Sequence, residues 1–340
     1  MNSIRSARLA VVLTMAVAPL APGSAGAQAP ATAPMDSVRR LADAGLSAQA
    51  LGYGRRVSRE RPDAPHALAA LAVGAMAARD YDAAVDAADA MLARAPDVSA
   101  YQLVFGQAYL SHAREHPSLG AIAKVKKGRA AVERAIELDP DNLEARHTLM
   151  QFLLQAPGIA GGSRDGARRQ AREIEGRDRA RGLGARLEVA AAGKDAEELR
   201  RVVADALPVV AAVPDTATGL IGAFLGVVGN LGDETLREEL TARLHAARPG
   251  HPIAAYHRAR LWVMDGERPA EAERLLQAYL EGPERRGGAA SRAGAHWRLG
   301  QLYERQDRDD RAEEHYRVAA ALAPRLRPGR KLPARLERQI

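Results

Sequence analysis

The chain has 340 residues, no cysteine, 4 % aromatic residues and a formal net charge of +7. Without cysteine there are no disulfides, no Cys-ligated zinc, no thiol chemistry and no lipid attached through an N-terminal Cys. The 49 basic and 42 acidic residues are interspersed, the pattern of a solvated helical surface rather than of one concentrated basic patch.

The first residues read as an export address. Arg5 and Arg8 precede an apolar run from Leu9 to Leu20, broken only by Thr14 and Pro19, and Ala25-Gly26-Ala27 forms a small-residue cleavage site. This predicts a signal peptide over residues 1–27, cut before Gln28, and a periplasmic or secreted protein. Cleavage would lower the net charge from +7 to about +5. Residues 28–34 are rich in Ala and Pro and predict a short extended linker. No later apolar run reaches the ~18 residues of a spanning helix.

Proline then punctuates the chain. Pro62, Pro96, Pro140, Pro214, Pro249, Pro283 and Pro324 are placed to close a second helix, and three of the intervals are 34 or 35 residues. The 74-residue interval from Pro140 holds two units, with a boundary at Asp178-Arg179. The first pair reads as truncated, a short helix over Met35 to Ala44 before Leu46 to Arg59, as an end unit allows. The second runs Leu68 to Ala78 and Tyr81 to Ala95. The third has Phe105-Gly106-x₂-Tyr109, a predicted insertion around Ser111 to Lys127, then Ala131-x₃-Ala135. The fourth has Ala145 to Gln155, the loop Ala156-Pro157-Gly158-Ile159-Ala160-Gly161-Gly162-Ser163, then Ala167 to Glu175. The fifth turns at Gly193-Lys194-Asp195. The sixth sets Gly219, Gly222, Gly226 and Gly229 on one helical stripe, which predicts a close helix crossing, since each helical Gly costs about 1 kcal/mol relative to Ala. The seventh spans Ile253 to Met264 and Ala270 to Leu280.

The eighth unit is the clearest: His296-x₂-Leu299-Gly300-x₂-Tyr303, then Ala312-x₃-Tyr316-x₂-Ala319, then Pro324. It resembles the tetratricopeptide repeat, and the likeness extends more weakly over residues 35–324. Leu138-Asp139-Pro140-x-Asn142 with the Ala156 to Gly162 loop is also similar to a group of exported bacterial tetratricopeptide proteins. The resemblance implies an all-α, right-handed superhelical solenoid of about eight antiparallel helix pairs over 35–324, followed by a basic tail over 325–340. It implies no chemistry of its own.

Candidate chemistry is sparse. His112-x₂-Glu115-His116 matches the inverted zinc-protease motif, with Glu115 as general base, but Pro117 follows at once and no third ligand stands out. A zinc hydrolase therefore remains an alternative reading. The Gly158 to Ser163 loop precedes Arg164, Arg168, Arg169 and Arg172 and could cradle an anion, or be a tight connection with Ser163 or Asp165 as N-cap. It lacks the Lys-Ser/Thr of a nucleotide loop, and Gly182-x-Gly184 lacks a strand before it, so no cofactor is expected.

The tetratricopeptide resemblance implies that first-helix positions two, five, nine, twelve and thirteen line a concave groove. These positions are Glu144, His147, Gln151, Leu154 and Gln155 in the fourth repeat, and Gly294, Trp297, Gln301, Glu304 and Arg305 in the eighth. Tyr256 and Arg260 join them from the seventh. The mixture of polar groups with aromatic anchors suits a peptide or protein partner, and the lack of a uniform Lys/Arg stripe argues against nucleic acid. The expected function is a non-enzymatic exported scaffold binding a peptide, protein or cell-envelope partner, with an accessory subunit of a periplasmic solute-uptake system as an alternative.

Overall fold

The computed structural model describes residues 29–43, 46–117, 120–212, 218–229, 231–248, 250–282 and 292–322. The expected signal peptide and basic tail lie outside them. The described residues form sixteen α-helices and one short 3-10 turn, with no strand. They run in eight pairs: α1 (Ala29–Asp43) and α2 (Ser47–Glu60), α3 (Pro65–Ala77) and α4 (Tyr81–Leu92), α5 (Ser99–Glu115) and α6 (Ala121–Leu138), α7 (Leu143–Gln155) and α8 (Arg164–Glu175). Then come α9 (Arg179–Gly193) and α10 (Ala196–Ala212), α11 (Thr218–Gly229) and α12 (Glu234–Ala247), α13 (Pro252–Asp265) and α14 (Pro269–Glu281), α15 (Arg292–Glu304) and α16 (Asp309–Leu322).

Local chemistry starts and stops these helices. Side-chain oxygens of Asp80, Asn142, Ser163, Asp178 and Asp233 accept from the backbone N–H three residues on, capping α4, α7, α8, α9 and α12. Pro65, Pro252 and Pro269 open α3, α13 and α14, where the missing N–H has no helical partner to lose. Turns within five of the pairs use left-handed backbone, at Arg79, Gly161, Lys194, Gly266 with Arg268, and Asp307. The apolar faces then stack into successive cores. One joins Leu183, Leu199, Phe224, Leu240 and Ala254 from α9 through α13; another joins Tyr256, Trp262, Leu276, Tyr303 and Tyr316 from α13 through α16.

Three details differ from the sequence reading. The first pair is full length, and α1 begins at Ala29, inside the stretch expected as a linker. The third repeat has no separate insertion; α5 and α6 are simply longer, at 17 and 18 residues, and Pro117 stops α5 at His116. Two of the glycines of α11 do not sit in a close crossing. Gly222 and Gly226 are exposed, and a Cβ at either would meet nothing within 4 Å. Gly300 is small because the Tyr316 ring lies across it, 2.6 Å from where its Cβ would be.

The close crossings lie elsewhere. On α2 and α3, Gly54 faces Ala70 and Gly74 faces Ala50; a Cβ on either glycine would come within 2.7 Å of a backbone carbonyl oxygen. Gly106 of α5 and Gly128 of α6 form a second such contact: a Cβ on either would lie 2.8 or 3.0 Å from the other's carbonyl oxygen.

Candidate functional site

Polar side chains from first helices converge on one face. Arg39 of α1 reaches Glu144 of α7 with two contacts of 3.3 Å. Gln107 of α5 donates to the same carboxylate and to the Thr148 hydroxyl, each at 3.3 Å. Arg39 thereby ties the first helices of the first and fourth repeats together side chain to side chain. Glu144 thus gathers side chains from α1 and α5. His147 continues the network to Glu188 of α9 at 3.1 Å, and Gln151 donates to the same group at 3.5 Å.

Electrostatics follow from this crowding. Burial alone would push the His147 imidazole down, but its hydrogen bond to Glu188, with Glu144 nearby, raises it above the ordinary histidine value against the opposing charge of Arg181. Burial raises the Asp43 carboxyl; Arg39 opposes that and Glu144 adds to it. A histidine raised in the folded state adds stability that is complete below its unfolded value near 6.5 and fades as pH rises through the folded one. Glu188→Gln should therefore lower stability by under about 1 kcal/mol, as for a half-exposed pair, at pH 5.5 and by little at pH 8.5. Urea unfolding at both pH values checks this; an equal loss at both would sink the assignment.

The remaining groove residues are placed differently. Leu154 is half-buried, and Gln155 is exposed at the end of α7. Tyr256 is not in the groove: it is 1 % exposed in the core, its ring 5.1 Å from Tyr279 of α14, because the register of α13 turns this position toward its own second helix. Arg260 is half-buried with its charge beside Arg298, whose pKa is lowered by burial and by that second guanidinium. Trp297 packs on Tyr316 at 4.5 Å, Gln301 accepts from Arg298 at 2.6 Å, and Glu304 accepts from the Tyr316 hydroxyl at 2.7 Å. Arg305 donates to the carbonyls of Val263 and Met264, closing the end of α13. In the eighth-repeat set Trp297, Gln301 and Glu304 thus find partners within their own repeat while Arg305 reaches the seventh; Glu144, His147 and Gln151 of the fourth all reach other repeats.

Sequence reasoning missed Arg39, Gln107 and Glu188. Gln107 follows Gly106 as Gln301 follows Gly300, so the third-repeat motif could have found it. Glu188 follows Leu187, where no small residue marks the register.

His112, Glu115 and His116 do not assemble a metal site. The His112 Nε2 lies 2.9 Å from both Asp82 and the Lys124 ammonium, a cation already where a metal would compete. The His116 Nδ1–H donates to the His112 carbonyl at 3.2 Å, and Glu115 is drawn 2.6 Å from Arg79. Among the described residues no three His, Cys, Asp or Glu are grouped to hold a metal. No described helix is long and apolar enough to cross a membrane.

No protein-family model matches the chain, and no curated protein does. Solved structures do. Yeast Tom70 superposes with a TM-score of 0.55 at 12 % identity, covering 90 % of this chain and 63 % of that one. The fold is the tetratricopeptide-repeat fold. TTC0263, described as a thermophilic TPR protein of Thermus thermophilus, matches with a TM-score of 0.46 at 18 % identity over 63 % of this chain and 98 % of that one. A tetratricopeptide repeat protein from Parabacteroides merdae matches at 0.41 and 13 % identity, over 86 % and 93 %. Eight tetratricopeptide-like pairs account for the described helices.

Proposed function

We propose that this chain is an exported scaffold, without catalysis of its own, that holds a peptide or protein segment against the concave face of its first helices. The observation that carries the reading is the network from Arg39 through Gln107, Glu144, His147 and Gln151 to Glu188, which lines one face with donors and acceptors drawn from four helices. Such a surface can exchange its own hydrogen bonds for those of an extended backbone. Asp43, Glu144 and Glu188 stand there against Arg39 and Arg181, a mixed set and not the basic stripe that suits a phosphate backbone. Export rests on the N-terminal Arg5-to-Ala27 pattern.

A photocrosslinking side chain at Gln151 should capture a discrete partner from cell-envelope extract, while the same probe at exposed Asp86 on α4 should not. Equal capture at both positions, or none at Gln151, would count against the concave face.

A further inference from the structure

Three arginines drawn in from solvent face a carboxylate: Arg39 meets Glu144 at 3.3 Å, Arg146 meets Glu173 at 3.9 Å and Arg237 meets Asp265 at 3.6 Å. Arg260 of α13 and Arg298 of α15 do not. Both are half-buried and stand beside one another, on helices that pack together. Among the described residues neither makes an ion pair. The Arg298 Nη1 donates to the Gln301 side-chain oxygen at 2.6 Å, and the Tyr256 phenol stands against the same guanidinium; both are neutral. The acids of the two helices are committed elsewhere. Helix α13 carries only Asp265, drawn to Arg237, and α15 only Glu304, which accepts from the Tyr316 hydroxyl at 2.7 Å.

Two like charges side by side repel, and withdrawal from water weakens the screening between them. Burial first, and then the charge of Arg260, depress the Arg298 guanidinium. Burial and the same two charges keep the His257 imidazole neutral, so it adds no third cation. A pair that served packing alone would be relieved by an acid, as Arg39, Arg146 and Arg237 are. Two adjacent positive charges answered only by neutral groups are instead the electrostatics of an anion site, where each planar guanidinium can offer a fork of donors to oxygen.

We propose that Arg260 and Arg298 together bind a doubly charged oxyanion of the phosphate or sulfate class. A dianion balances both guanidiniums, whereas a single carboxylate leaves one unanswered. The Gln301 side chain holds the Arg298 fork in place, so it is a positioning residue. The site lies apart from the Glu144 network, and a failed crosslink at Gln151 would leave it untouched.

The test uses the full chain at about pH 8, where histidines are neutral and phosphate is doubly charged. Sulfate and inorganic phosphate should give saturable shifts in the amide resonances of Arg260, Arg298 and Gln301 at about millimolar concentration, and acetate at matched ionic strength should bind at least about tenfold more weakly. O-phosphoserine separates the sources: binding tighter than inorganic phosphate assigns the site to a phosphate ester, weaker binding to the free ion. Arg260→Gln should raise the urea midpoint in sulfate-free buffer, because it removes the repulsion, and should abolish the shifts. Sulfate strengthens any fold to some degree, so its stabilising effect is read as the difference between parent and variant. No saturable shift at these residues, acetate binding as well as sulfate, or an Arg260→Gln midpoint that falls or stays where it was overturns the proposal.

Discussion

Gly74→Ala should destabilise the N-terminal repeats by about 2 kcal/mol, although alanine is the better helix former by roughly 1 kcal/mol. The new methyl would lie 2.7 Å from the Ala50 carbonyl oxygen and 3.1 Å from the Leu51 Cα. Both are backbone atoms, so no side-chain rotation relieves the clash, and α2 and α3 must separate. Separation also loosens the reciprocal contact at Gly54, where a Cβ would meet the Ala70 oxygen at 2.7 Å. The same change at Gly222 has no obstacle within 4 Å and should stabilise by up to about 1 kcal/mol. Urea midpoints for the two variants should thus move in opposite directions. A neutral or stabilising Gly74→Ala would show that the crossing is looser than its geometry.

That pair of glycines marks the boundary of what the sequence reveals. The fold was legible because the eighth repeat spells its motif and because prolines, N-caps and small residues recur at repeat length; the boundary at Asp178-Arg179 is where α9 begins. Which helix faces meet was not legible. A glycine stripe is visible in α11, but whether a neighbour approaches it depends on how the repeats stack. The Gly54 and Gly74 contact needs two single glycines on different helices to come into register, and neither stands out alone. The insertion expected at Ser111 to Lys127 failed for a similar reason. The polar sequence there is the solvated face of two long helices, tied together by Asp82, His112 and Lys124 and by Asp89, Tyr109 and Lys127.

The groove shows the same division. Position counting grouped Glu144, His147 and Gln151 because Asn142 caps α7 and fixes its start, and their side chains do reach other repeats. It misplaced Tyr256, whose helix has no small-residue marker, and it could not see that Arg305 serves the end of α13. The partners of Glu144 and Gln151 come from other repeats, at separations of 37 to 105 residues, and no local pattern encodes them.

The seventh and eighth repeats should weaken on mild acidification while the first repeats hold. His257 is 8 % exposed on α13, and burial, reinforced by the charges of Arg260 and Arg298, pushes its imidazole down to about 3. The His296 and His315 rings share a hydrogen bond between their Nδ1 atoms at 2.9 Å, which requires one donor and one neutral acceptor. Burial lowers both; His315 and Arg292 push His296 further down, while Glu314 opposes on both rings. The sign follows from proton counting: below about 6.5 the unfolded chain binds protons that these folded rings refuse, so stability falls as pH falls. One such histidine costs about 1.4 kcal/mol per pH unit below that point, or roughly 2–3 kcal/mol by pH 4.5 for His257 alone. The upper half of the window, from 6.5 to 5.5, lies above the ordinary carboxylate range, so the slope there isolates the histidines. In a repeat stack the loss stays local to the pairs that carry it. Amide exchange in α13, α15 and α16 should therefore accelerate across the window, while α3 and α5 change little. His257→Leu removes the largest titrating group without adding a polar one and should flatten the slope in α13. If exchange in α13 accelerates as steeply in that variant, the buried imidazole is not the source of the acid response.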